Sequence, residues 1–214
     1  AFQLPEPARI AAVHLLASAP TLEAEGAVTA GLDRPSEETV EAARRRTRMR
    51  ELHRGFGVAT WAALTATVVL GFFQYSDEYG LFADHDDTPC ARGEAVFGQW
   101  QCGTPVVHLS FAALTAALYA TTFTMSYFVR APGSEPPADS PLARRLRTHR
   151  LLRWVHLSGM VGQIVGGVLV ANLDRMGVDP EENHGVFQGI ATWHLAVGLV
   201  TYAALTWAGA LMIQ

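Results

Sequence analysis

Residues 151–171 read LLRWVHLSGMVGQIVGGVLVA, and this stretch decides what kind of fold the chain takes. It is about as long as a helix must be to cross a bilayer, roughly 20 residues. Beyond Arg153 near its start it carries one ionisable side chain, His156. An ionisable group inside a span is costly to bury and tends to mark a site. Gly159, Gly162, Gly166 and Gly167 keep the helix slim, leaving room for a flat, bulky group to lie against it within reach of a ring nitrogen. Gly162 and Gly166 equally match the small-residue spacing by which membrane helices pack on one another.

Working outward, residues 52–75, 105–129 and 190–213 repeat the design, each an apolar stretch of spanning length with a histidine near its N-terminal end. The expected fold is all-α: a transmembrane up-down four-helix bundle over residues 51–214, preceded by a polar, partly amphipathic extension over residues 1–50. Composition agrees. Of 214 residues 50% are hydrophobic, yet the mean hydropathy is only +0.16, as for a membrane core with sizeable polar segments outside it.

In the extension, residues 5–19 predict a short helix carrying Ile10, Val13, Leu15 and Leu16, too short and too polar to span and suited to a membrane surface or a partner. Ser36 reads as an N-cap, with Glu37 and Glu38 in the first turn where the helix dipole favours acids. That helix is expected to run unbroken into the first span. Residues 130–140, rich in proline and small residues, read as an exposed linker.

The net charge of −4 hides a segregation. Arg44, Arg45, Arg46, Arg48 and Arg50 precede the first span, and Arg144, Arg145, Arg147, Arg150 and Arg153 precede or open the third. The loops after the first and third spans are acidic, with Asp77, Glu78, Asp84, Asp86 and Asp87 in one and Asp174, Asp179, Glu181 and Glu182 in the other. Four alternating spans put both arginine clusters on one side and both acidic loops on the other. Arginine-rich ends stay in the cytoplasm, so the protein is expected in a bacterial inner (cytoplasmic) membrane with the acidic loops in the periplasm. Cys90 and Cys102 lie in one of those loops, where a disulfide is allowed. The chain begins at Ala1 without methionine. Taken alone, that suits a removed leader and the opposite orientation; the charge pattern outweighs it.

The chemistry lies in four histidines, one per span: His53, His108, His156 and His194. Alternate spans run the same way, so His53 and His156 share the arginine-side depth and His108 and His194 the acidic-side depth. First with third and second with fourth are the diagonal partners of an up-down bundle, the arrangement that grips one metal from two sides. Three or four residues on come Gly57, Ala112, Gly159 and Gly198, small neighbours on the same helix face. Seven residues on come Thr60, Thr115, Gln163 and Thr201, all polar. Two imidazoles leave a bare metal ion short of ligands, whereas a haem supplies its own four equatorial nitrogens and needs only two axial ones. No CxxCH occurs, so two haem b groups, not c-type haem, are the expected cofactors. Arg50, Arg54, Arg150 and Arg153 flank the arginine-side pair, with Arg54 and Arg153 best placed against propionates. His149 precedes His156 by seven residues on the same face and is the alternative ligand; taking Arg54 and Arg153 as markers of the water boundary puts His156 inside and His149 outside. His14, His85 and His184 read as solvated loop residues, and Trp61, Trp154, Trp193 and Trp207 as interface anchors or packing.

At these residues the chain resembles the cytochrome b561 type of four-helix, di-haem b cytochrome. LHRGFG at the start of the first span, WVHLSGM in the third and one histidine in each of four consecutive spans carry the resemblance, over about residues 51–214. It implies bis-histidine haems and electron transfer across the membrane, from quinol or another small reductant to an acceptor, with His53 paired to His156 and His108 to His194. The long N-terminal segment and the cysteine loop depart from the family and suggest docking to a redox partner protein or a larger complex. Membrane lipid is an expected partner and nucleic acid is not. The alternatives are a haem-bearing anchor subunit of a larger redox complex and a haem-free membrane scaffold whose histidines only pack.

Overall fold

The computed structural model describes residues 36–103, 105–129 and 136–213. The expected helix over residues 5–19, and His14 with it, lies outside them. Residues 42–214 form one compact unit by their contacts.

Every regular element among the described residues is helical. Helix α1 runs over Glu37–Tyr79, α2 over Val106–Met125, α3 over Pro141–Val170 and α4 over His184–Ile213. The expected unbroken passage from Ser36 into the first span is present: the amide of Thr39 donates to Ser36 Oγ, capping α1. Helix α3 starts ten residues before the apolar stretch, because Ser140 caps it by accepting from the amide of Ala143 and Pro141 occupies the first turn, where its missing N–H costs nothing. Helix α4 likewise begins six residues ahead of its expected span, and α2 ends four residues short of 129.

Three of these helices, α1, α2 and α4, are long and apolar enough to cross a membrane. Helix α3, which holds the stretch read first, is not among them. Its length is ample, but Arg153, His156, Gln163 and four glycines dilute its apolar content. Its outward face is nonetheless apolar: Val161, Ile164, Val165 and Val168 are exposed, as are Val69 and Phe72 on α1, Leu109 and Leu114 on α2, and Leu199 and Val200 on α4. Inside, the order is reversed. Among the described residues the largest fully buried side chains are threonines, Thr60, Thr115 and Thr201. Apolar residues outside and hydroxyls inside are what a hydrocarbon surrounding selects, since each interior polar group must find a partner within the protein.

Those hydroxyls stitch the helices together. Thr60 Oγ1 lies 2.9 Å from Thr122 Oγ1 and Thr67 Oγ1 lies 2.8 Å from Thr115 Oγ1, joining α1 to α2 in antiparallel register. Trp61 Nε1 donates to Thr206 Oγ1 at 3.1 Å, and Tyr75 and Thr192 share a hydrogen bond of 2.7 Å, joining α1 to α4. The closest pair is α3 with α4. A Cβ on Gly159 would stand 2.0 Å from Thr201 Oγ1, and one on Gly166 would stand 2.6 Å from Trp193 Cζ3. The glycines of α3 therefore form a packing face, one of the two roles their spacing allowed.

Between α1 and α2 the chain is held by a small polar knot. Cys90 and Cys102 form a disulfide, S–S 2.07 Å. A cross-link across 12 residues stabilises a fold by about 3 kcal/mol on the chain-entropy estimate. Glu78 accepts from the amide of Gly103 and from Gln74 Nε2. Asp77 Oδ2 accepts from the amide of Val96 at 2.9 Å. Gln101 Oε1 accepts from the amide of Val107 and so aims the start of α2.

Candidate functional site

His108, near the start of α2, and His194, ten residues into α4, face each other with ring centres 6.3 Å apart and planes crossed at 85°. Two imidazoles on opposite sides of one metal, with metal–nitrogen bonds of about 2 Å, have their ring centres about 6 Å apart. The distance between this pair is the one such a metal would set. In both rings Nδ1 is sealed from solvent without a hydrogen bond. The carbonyl of Thr67 lies beside the His108 imidazole and that of Gln163 beside the His194 imidazole. A metal-bound histidine usually turns its second nitrogen toward such an acceptor.

Glycines on neighbouring helices make this placement possible. A Cβ on Gly71 of α1 would stand 2.8 Å from His108 Cε1 and 3.2 Å from its Nδ1. A Cβ on Gly166 would stand 3.1 Å from His194 Nδ1, and one on Gly167 would stand 3.3 Å from His194 Cε1. The small residues expected on the ligands' own helices play another part. Gly159 and Gly198 lie against Thr201 and Gln163 in the α3–α4 contact, and Gly57 touches only Thr122, at 3.9 Å. Ala112 is half-buried. Clearance around the rings comes from across the helix interface, a relation that spacing within one helix does not reveal.

At the arginine end the picture is less symmetrical. His53 is half-buried, its Nδ1 sealed without a hydrogen bond and the carbonyl of Thr122 beside it. His156 is 7% exposed, and its Nδ1 lies 2.8 Å from the Tyr119 hydroxyl. Tyr119 was not among the residues singled out from the sequence; an isolated tyrosine in a span gives no hint of its partner. His149 Nδ1 lies 3.0 Å from the carbonyl oxygen of Ala208. Arg153 is ringed by aromatic side chains. Its guanidinium carbon sits 5.9 Å from the Phe123 ring centre, 5.2 Å from that of Tyr127 and 5.1 Å from that of Trp154, and its Nε is sealed without a partner. Such a cage holds a cation by the negative faces of the rings. Arg54 and Arg50 are exposed.

At the other end, the two loop histidines are not simply solvated: His85 and His184 meet edge to face, 5.3 Å between ring centres, with Tyr79 5.8 Å from His184. Among the described residues one group of three metal-type ligands clusters, Glu78 with Cys90 and Cys102, but disulfide sulfurs are not thiolates and bind no ion in that form. Among the described residues no carboxylate or thiolate joins His108 and His194, so a metal there would have to bring its remaining ligands with it. No protein family, curated protein or solved structure matches this chain.

Proposed function

We propose that the chain is an integral-membrane di-haem b-type cytochrome, its four long helices forming an up-down bundle in a bacterial inner membrane, arginine ends in the cytoplasm and the disulfide loop in the periplasm. The observation that carries this reading is the 6.3 Å separation of the His108 and His194 ring centres. A haem, when bound, supplies four equatorial nitrogens and a one-electron redox centre. His108 and His194 hold its iron from α2 and α4, with Gly71, Gly166 and Gly167 leaving the rings room to stand. His53 and a histidine of α3 hold the second.

The exposed apolar face of α3 supports counting it as a span despite its polar interior residues. From His53 to Gly71, which backs His108, α1 rises 18 residues, about 27 Å at 1.5 Å per residue. Two redox centres at those depths bridge most of a bilayer about 30 Å thick, which one could not. The polypeptide's part is to fix the two centres, exclude water from them and tune them. Quinol or another small reductant is the donor class and a periplasmic protein the acceptor. The arginine-rich start of α1 and the acidic loops suit a protein partner, so a second reading, a haem-bearing anchor subunit of a larger redox complex, is marked by co-purification of an iron–sulfur or haem partner.

Proteoliposomes test the function. With ferricyanide trapped inside and a reductant outside that does not cross lipid, the wild-type protein is expected to bleach the trapped oxidant at least tenfold faster than empty vesicles. Equal rates would leave the chain without a transmembrane electron path.

A further inference from the structure

We infer that His149, not His156, is the partner of His53, and that His156 belongs to a separate buried pair with Tyr119 at a depth between the two haem sites. The inference rests on the di-haem reading and deepens it.

Helix register carries the argument. On α1 and α2, Gly71 lies behind His108, Thr67 meets Thr115 and Thr60 meets Thr122. Each step back along α1 is matched by a step forward on α2, so His53, two turns before Thr60, falls level with the end of α2 near Tyr127. On α2 and α3, Tyr119 meets His156. Two turns toward the arginine end, the level of Tyr127 on α2 is that of His149 on α3. The route through α4 also leaves His149 the nearer of the two: Trp61 meets Thr206 and His149 meets Ala208, which sets His149 about six residues, roughly 9 Å, from the level of His53, and His156 lies deeper still. His156 lies seven residues deeper than His149, about 10 Å at 1.5 Å per residue, too far to share one iron with His53.

The nitrogens agree. A carbonyl oxygen can only accept, so the His149 Nδ1 carries the proton it donates to Ala208 and its Nε2 presents a lone pair. This is the tautomer in which a backbone acceptor orients a metal-bound imidazole. His149 is half-buried, like His53, His108 and His194, whereas His156 is closed in. The Nδ1 of His156 is taken by the Tyr119 hydroxyl, and the two rings stand edge to face, 5.5 Å between centres. His156 is thus part of the packed interior, midway in depth between His53 and His108.

Haem per chain decides it, counted by pyridine haemochrome on His149→Ala and His156→Ala purified in detergent beside the wild type. Expected are two haems in the wild type, one in His149→Ala and two in His156→Ala, with a changed spectrum or midpoint potential at neither remaining centre beyond a small shift. Should His149→Ala fail to fold, His149→Met keeps a ligand. It is expected to raise the potential of one haem only, since a thioether favours the reduced iron, and His156→Met is expected to leave both potentials nearly unchanged. One haem in His156→Ala with two in His149→Ala overturns the inference and leaves the di-haem reading standing. Two haems in both variants, or one in both, also overturns it. A wild type without haem overturns the di-haem reading itself.

Discussion

His108→Ala is expected to halve the haem content of the purified protein, from two per chain to one, and His194→Ala to do the same. On the proposed reading the two side chains hold one iron from opposite helices, and among the described residues no further histidine, cysteine or carboxylate clusters with them. The remaining haem, about 27 Å away along α1 by the helical rise, should keep its spectrum and potential. The double variant should add nothing to either single one, because both act on one site. Haem counts of two in either single variant would remove these residues from the ligand set.

Gly71→Ala is expected to damage the same site without touching a ligand. A glycine replaced by alanine inside a helix ordinarily gains about 1 kcal/mol. At Gly55, where a Cβ would meet nothing within 4 Å, that gain should appear as a small rise in thermal stability with both haems retained. At Gly71 the new methyl would stand 2.8 Å from His108 Cε1. The imidazole must give way, and overpacking of this kind costs about 1–3 kcal/mol, enough to reverse the sign. The expected outcome is a lower melting temperature than that of Gly55→Ala, with one of the two haems lost or converted to a weak-ligand spectrum. Equal stability of the two variants with both haems intact would show that the His108 ring has no need of the space Gly71 leaves.

Much of this was legible in the sequence because membranes impose simple rules. Apolar length predicted α1, α2 and α4 as spans, Ser36 predicted the start of α1, and the cysteines of the acidic loop predicted their disulfide. The choice of His108 with His194 needed only alternate spans and equal depth, and the structure does bring those two rings together. What escaped was whatever depends on register between helices. Gly71 is 37 residues from His108 in the chain, and only the antiparallel pairing of α1 with α2, fixed by Thr60, Thr67 and their partners, puts it behind the ring. Arg153 reads as a boundary marker because arginines at span ends usually reach for water; the rings of Phe123 on α2, Tyr127 just beyond α2 and Trp154 on α3 surround it, which no spacing announced. The choice of His156 over His149 leans on the same marker, since its depth is measured from Arg153. Tyr119, which takes up its Nδ1, announced itself by no spacing at all.

The central claim is that two imidazole pairs inside the membrane each hold a haem. The pyridine haemochrome of the wild-type protein, purified in detergent and measured against chain concentration, tests it most directly. Two b-type haems per chain, with a low-spin spectrum for both, is the expected result. A colourless preparation, expressed with ample haem and still monodisperse with its Cys90–Cys102 disulfide formed, would contradict it.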